Sequence, residues 1–318
     1  MRGQARLLGR FAGGVAAALL VVACGPDGAV APGGSAGPPA TTSDAEQTTP
    51  PTMTPTSTAP TTPPTPAVGT PDLAGRFDVG GHELAIECRG ATGPVMVLET
   101  GSGSPGATWL RSDFITLLDQ RYRRCIYDRA NLGASDDVDT PRTSATAATE
   151  LHALLHAAGL PGPYVLVGRS FGGYNVRLFA SMYPDEVADL VLVESLTPEF
   201  HAGMKDLLDA MQWASEASFN KQVEWPLDII ASGPLVAAAD LPDLPLLVIA
   251  ATESHTGDPA WPEAWPAEAL NDLWMEEQVT LAESVASGRL VVFEGGDHNL
   301  FLTEPKRLAE EINAFLAP

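Results

Sequence analysis

One serine of this chain stands between two glycines, in Gly168-Arg169-Ser170-Phe171-Gly172. A serine hydroxyl attacks only when a base takes its proton. The base needs an acid to orient it, and the tetrahedral intermediate needs donors for its oxyanion. The residue types for all of these parts stand at the ends of short apolar runs. Glu194-Ser195 follows the run 190–193, and Glu294-Gly295-Gly296-Asp297-His298-Asn299 follows 290–293. Thr100-Gly101-Ser102-Gly103 follows 95–99, where a glycine-rich turn lets backbone N–H groups face a ligand.

The elements that must position these groups can be read from the pattern. The run Val165–Val167, preceded by Pro163-Tyr164, breaks at Gly168. A helix pattern follows from Tyr174 to Met182, with Val176, Leu178, Phe179 and Met182 available for a buried side. Strand, sharp turn and helix place Ser170 at a helix N-terminus, where backbone N–H groups face an anion. Around this unit, Phe77–Val79 and Leu84–Cys88 read as a hairpin about Gly80-Gly81. Further strands read at Val95–Glu99, Arg124–Tyr127, Leu190–Val193, Leu246–Ile249 and Leu290–Phe293. Helices read at 109–120, 143–158 and 304–316. Strands alternating with helices predict an α/β fold with a doubly wound, mostly parallel sheet, whose ligands bind beyond the strands' carboxyl ends. The stretch from about 197 to 243 reads as an inserted helical cap, with Met204, Leu208 and Met211 at helical spacing.

From about residue 73 to the end, the chain resembles the α/β-hydrolase fold superfamily. The resemblance rests on the Gly168–Gly172 turn, on the late Gly296-Asp297-His298, and on Tyr127-Asp128-Arg129-Ala130-Asn131-Leu132-Gly133-Ala134-Ser135. That last stretch is similar to the family's Tyr-Asp-x-x-Gly-x-Gly-x-Ser loop, with Asn131 where glycine is common. The resemblance implies Ser170 as nucleophile, His298 as general base, and the N–H groups of Phe171 and Ser102 as oxyanion hole. Thr100-Gly101 stands where the family often has His-Gly. Most members carry the acid after the strand corresponding to 246–249, at a position that falls near Ser254. Some carry it one strand earlier, where this chain has Glu194. Glu194 is therefore the expected acid, with Glu253 and Asp258 as alternatives. Family epoxide hydrolases and dehalogenases use aspartate in place of Ser170, so the implied activity is ester cleavage through an acyl-enzyme. A serine-dependent relative acting on amide or carbon–carbon bonds is an alternative, as is a non-catalytic, lipid-anchored binding module. Small ester-like molecules are the expected substrates.

The other residues carry less chemistry. No cofactor or metal motif is present. His82, His152, His156, His201 and His255 lack a companion pattern such as His-Glu-x-x-His, and read as surface or structural groups. Asp297 reads as a turn residue, and Arg169 as a member of a salt bridge.

Residues 1–24 read as a lipoprotein signal, with Arg2, Arg6 and Arg10 before a short apolar stretch that ends at Ala23-Cys24. Cys24 is the expected lipid-bearing residue. The expected location is the extracytoplasmic face of the cell membrane. Residues 25–72 are crowded with Pro, Thr, Ser and Gly and read as a disordered tether. The formal charge is −22, which argues against nucleic acid as a partner. Nothing signals an oligomer, so a monomer is expected. Cys88 and Cys125 remain as a pair in an exported domain and are expected to form a disulfide across adjacent strands.

Overall fold

A computed structural model describes residues 71–90, 92–256 and 264–317. Cys24, the signal segment, nearly all of the tether and Asp258 lie outside the described residues. Eight strands form one sheet: β1 (Leu73–Asp78), β2 (Glu83–Arg89), β3 (Val95–Glu99), β4 (Arg123–Tyr127), β5 (Tyr164–Ser170), β6 (Val187–Ser195), β7 (Leu246–Ala251) and β8 (Gly288–Phe293). Their spatial order is β1-β2-β4-β3-β5-β6-β7-β8. β2 runs antiparallel to β1 and β4, and every other neighbouring pair is parallel. The predicted α/β class and mostly parallel sheet are thus what the structure contains.

The helices are α1 (Phe114–Leu117), α2 (Ser144–Ala157), α3 (Gly172–Met182), α4 (Pro198–Leu207), α5 (Ala210–Gln222), α6 (Ile229–Ala237), α7 (Ala267–Ala282), α8 (Leu300–Thr303) and α9 (Pro305–Phe315). The central strands are buried on both faces, which is why they read as unbroken apolar runs. Alternate residues serve opposite sides. Val97 and Leu166 join Leu151 and Leu154 of α2 and Phe179 of α3, whereas Met96 and Val167 join Phe114 of α1 and Ile312 of α9.

Two expectations need correction. The helix expected over 109–120 is instead a 3-10 turn, Gly106–Arg111, followed by the short α1. Ser112 between them is extended, and its hydroxyl donates to the Phe301 carbonyl, so the helix cannot run through. The cap pattern Met204, Leu208, Met211 does not stay on one face. The chain breaks after α4, and Asp209 caps α5 by accepting from the Met211 and Gln212 N–H groups. That restarts the helical phase: Met204 and Leu208 are buried and Met211 is exposed. The sequence reading also missed α7.

Cys88 and Cys125 face each other in the β2–β4 register and are disulfide-bonded. Asn131 takes a φ of 69°, a left-handed conformation that asparagine adopts more readily than most residues, which accounts for its place at a position where glycine is common. Among the described residues, no helix is long and apolar enough to cross a membrane.

Candidate active site

β5 ends at Ser170 and α3 begins at Gly172, so strand must become helix across one residue. Ser170 takes a φ of 52° to make that turn. Such a conformation costs a non-glycine residue about 1–3 kcal/mol and persists only where the surroundings enforce it. The crossing is also tight. A Cβ on Gly172 would stand 2.5 Å from the Thr100 carbonyl oxygen, and one on Gly168 would stand 2.9 Å from the Gly172 carbonyl oxygen. Glycine at 168 thus lets β5 meet α3, and glycine at 172 lets the start of α3 meet the end of β3.

The turn aims Ser170 at two distant loops. Ser170 Oγ lies 3.1 Å from His298 Nε2, and His298 Nδ1 lies 2.9 Å from Glu194 Oε2. His298 sits in the turn between β8 and α8, and Glu194 is the penultimate residue of β6, with a φ of 49°. The Glu194 side chain is fully buried. Its Oε1 accepts from the Ala251 N–H at 2.5 Å and the Trp274 indole at 3.3 Å. Its Oε2 accepts from the Ser254 hydroxyl at 2.5 Å as well as facing His298. Four donors thus hold the carboxylate in one orientation, and through it one imidazole plane and tautomer are favoured.

Of the acids considered, the structure brings Glu194 to His298. Glu253 is exposed, and its backbone N–H is bonded to the Gly296 carbonyl. Asp258 lies outside the described residues. Ser254 stands near the position where the resemblance places the family's usual acid. Here that position supplies a hydroxyl that braces the acid on the neighbouring strand.

Gly101, Ser102 and Phe171 border the same cavity as Ser170. A Cβ on Gly101 would stand 3.2 Å from the Ser170 Cβ, so the loop after β3 lies directly against the serine. Sequence reasoning missed what holds this loop. Arg129, buried to 2% exposure, donates to the Thr100 carbonyl at 3.0 Å and the Gly101 carbonyl at 2.8 Å. Glu224, from the connection between α5 and α6, accepts from the Gly103 N–H at 2.9 Å. The two side chains pair through two bonds, Nε to Oε1 at 2.6 Å and Nη2 to Oε2 at 2.7 Å. Arg129 also reaches Glu99, which in turn accepts from Asn175 of α3. Burial alone would lower the Arg129 pKa, but the Glu224 and Glu99 carboxylates outweigh it and push the pKa up. A buried arginine within a loop motif gives no sign in the sequence, because its partners lie 30 and 95 positions away.

Over the serine lies a cavity of about 530 Å³. Leu196, Phe200, Met204, Phe219, Trp265 and Trp274 supply apolar wall, and His201, Glu216 and Asn220 supply polar points in the cap. Trp225, in the stretch that reads as the cap, is 60% exposed and does not border this cavity. His201 and His255, read as surface or structural groups, are buried and border it. Burial pushes the His201 pKa down to about 4. Burial and then the proximity of His298 push His255 down to about 3, against a bond to Asn271 that favours its charged form. Both are neutral imidazoles near pH 7. Burial raises the Glu216 carboxyl above its ordinary value, and an Asn220 bond opposes the rise. Arg169 donates to the Asn299 side chain at 2.6 Å and to the His298 carbonyl at 3.1 Å, so it braces the loop that carries the histidine.

Comparisons with known proteins bear on the family and the fold. Residues 96–311 match the family model described as "Alpha/beta hydrolase family". Among solved structures, an esterase from Thermogutta terrifontis is similar, with a TM-score of 0.54, 20% identity, and coverage of 77% of this chain and 98% of that one. A bromoperoxidase from Bacillus anthracis has a TM-score of 0.54 and 19% identity, over 77% of this chain and 99% of that one. At these identities the likeness concerns the fold. Among curated proteins, the putative carbamate hydrolase RutD of Escherichia coli O127:H6 is 38% identical over 104 residues, which is 32% of this chain and 38% of RutD. The polyketide synthase ThaQ of Burkholderia thailandensis is 29% identical over 281 residues, 76% of this chain but 12% of ThaQ. The chain spans less than half the length of these curated relatives.

Proposed function

The chain belongs to the alpha/beta hydrolase family, and from that premise we propose that it is a serine hydrolase cleaving carboxylic esters through an acyl-enzyme. The observation that carries this reading is the continuous chain from Ser170 Oγ to His298 to the buried Glu194. In the first half-reaction His298 Nε2 takes the Ser170 proton as Oγ bonds to the ester carbonyl carbon. Collapse of the tetrahedral intermediate breaks the bond to the alkoxy oxygen, which leaves with that proton. Water then attacks the acyl-enzyme by the same route and releases the acid. Phe171 at the start of α3 and Ser102 on the braced loop would supply the N–H groups that meet the oxyanion. Glu194 keeps Nδ1 protonated and steadies the imidazolium that forms in each half.

The apolar walls favour an ester with an alkyl or aromatic acyl group of moderate size. Hydrolysis of p-nitrophenyl esters of graded acyl length tests this, with a matching carbamate alongside. A serine-reactive fluorophosphonate labels the wild type and spares Ser170→Ala if the serine is activated. Absence of both turnover and labelling in folded protein would sink the enzyme reading and leave the binding-module alternative.

We also propose that the domain is exported, processed at Cys24 and held at the extracytoplasmic face by a lipid there. The support is the signal-like pattern of residues 1–24. Membrane fractionation of wild type and Cys24→Ala checks it, and an unchanged membrane share in the variant would count against it.

A further inference from the structure

Away from the serine, two histidines and a glutamate meet. His152 and His156 stand four residues apart on α2, so one helical turn puts them on the same face. Glu186 closes the 3-10 turn Pro184–Glu186 that leads into β6. His152 Nε2 lies 3.0 Å from Glu186 Oε1, and His156 Nε2 lies 3.1 Å from Oε2. All three ligand atoms lie within 4.8 Å of one another. We propose that His152, His156 and Glu186 bind one zinc-class divalent ion.

The geometry suits that occupant. Zinc bonds of about 2.0–2.2 Å in a tetrahedron put ligand atoms roughly 3.4 Å apart. Each histidine Nε2 is already within about half an ångström of that spacing from one of the two Glu186 oxygens. A pair of imidazole nitrogens with one carboxylate oxygen favours zinc over calcium or magnesium, which take oxygen ligands. The His152 ring is held in place, stacked on Tyr183 with centroids 3.9 Å apart and planes 8° from parallel. His156 is 57% exposed and borders a shallow cavity of about 410 Å³, which leaves room for water as a fourth ligand. Binding needs no redox step. On binding, each imidazole would keep its proton on Nδ1 and give the Nε2 lone pair to the metal, and one carboxylate oxygen would give a lone pair. Glu186 is remote from the helix in sequence, which is why the two histidines alone showed no ligand pattern.

The cluster lies at the far end of β5 from the serine. Tyr164, the first residue of that strand, borders the shallow cavity, and Ser170 is its last. Seven residues of strand span about 20 Å. The ion would therefore tie the end of α2 to the turn before β6 and take no part in the chemistry at Ser170.

The test uses the full chain without a histidine tag, stripped by a chelator. Zinc is titrated by calorimetry, and cobalt is followed by its visible absorption as a report on coordination geometry. The expected result is one equivalent of zinc, a tetrahedral cobalt spectrum and a higher melting temperature with metal. His156→Gln and Glu186→Gln should each weaken binding by about 100-fold or more, since loss of even a supporting bond to a ligand costs about 10–100-fold. Labelling of Ser170 should be the same in stripped and loaded protein. His156 is exposed enough that its variant should fold normally, and circular dichroism verifies this. The proposal is overturned if zinc does not saturate at one equivalent, or if binding persists unchanged in His156→Gln, which would assign it to the acidic surface.

Discussion

The cavity over Ser170 has a floor and a roof that are built differently. The floor is formed by the carboxyl ends of β3, β5 and β6 and by the loop after β8. Glu194 and Arg129 there are buried and Ser170 and His298 half-buried, and the Ser170 and Glu194 backbones are held in conformations that only dense surroundings enforce. The roof is α4, α5 and α6, three helices of 9 to 13 residues. Met211, Phe219 and Trp225 in this region are 82%, 55% and 60% exposed. A sheet buried on both faces fixes atoms to a fraction of an ångström, which proton transfer and oxyanion binding require. A thin helical layer tolerates changes of side chain, which is how a pocket is adapted to a different acyl group. On the proposed reading, the chemistry belongs to the floor and substrate choice to the roof. Glu224 is where they meet, since it leaves the cap and bonds the Gly103 N–H of the floor.

Substitutions can break or sharpen that division. The largest effect is expected for Ser170→Ala, which should reduce ester turnover by at least about 10⁴-fold while leaving the melting temperature near wild type. Steady-state rates and a thermal scan check both halves. Glu194→Gln should lower kcat by on the order of 10³- to 10⁴-fold, because the amide can present the wrong hydrogen-bonding partner to Nδ1. Glu253→Gln should stay within about twofold of wild type, as a surface change. If Glu253→Gln were the crippled variant, the placement of the acid on β6 would be wrong.

The junction should show mixed behaviour. Arg129→Met leaves Glu99 and Glu224 buried without their cation and should cost about 3–5 kcal/mol of stability, read by urea unfolding. Glu224→Gln should be milder in stability and should lower kcat more than it raises KM, since it loosens the loop that carries Ser102. Roof changes come next. Phe219→Ala should alter kcat/KM for the best ester by about tenfold or less and shift the preferred acyl length, with kcat for short esters unchanged. A kcat collapse in that variant would erase the distinction between floor and roof.

A pH response bears on the buried histidines beside the cavity. Burial pushes His201 down to about 4 and His255 down to about 3, from the ordinary imidazole value of 6.5. Between those values the unfolded chain binds more protons than the folded one, so stability should fall as pH drops from about 6.5 towards 4. His201→Gln should flatten the fall in a series of melts across that range. An equal slope in the variant would remove His201 as its source.

The floor was largely legible in the sequence, for a physical reason. A buried parallel strand must be a continuous apolar run, and a nucleophile on a sharp turn must have glycines beside it. Ser170, His298 and Glu194 could each be found at a strand end. What could not be read was whatever depends on contacts between distant segments. Arg129 carried no sign of a role in its loop motif, because its partners Glu99 and Glu224 are distant in sequence. Ser254 looked like a gap where an acid belonged, yet it donates to the acid that moved. The roof failed differently. Met204, Leu208 and Met211 share a helical spacing, but the Asp209 cap interrupts the helix, and periodicity counted across a break points to the wrong face.

The bond between Cys88 and Cys125 bears on how the domain responds to being pulled. A load applied from the amino-terminal side of the sheet enters at β1, which pairs only with β2 at the sheet's edge. Antiparallel edge strands can open one hydrogen-bonded pair at a time, like a zipper. Here the unzipping would stop when tension reached Cys88, because the force then crosses a covalent bond to β4, inside the sheet. Under such a load the first hairpin would yield, while β5, β6 and β8 stayed in register.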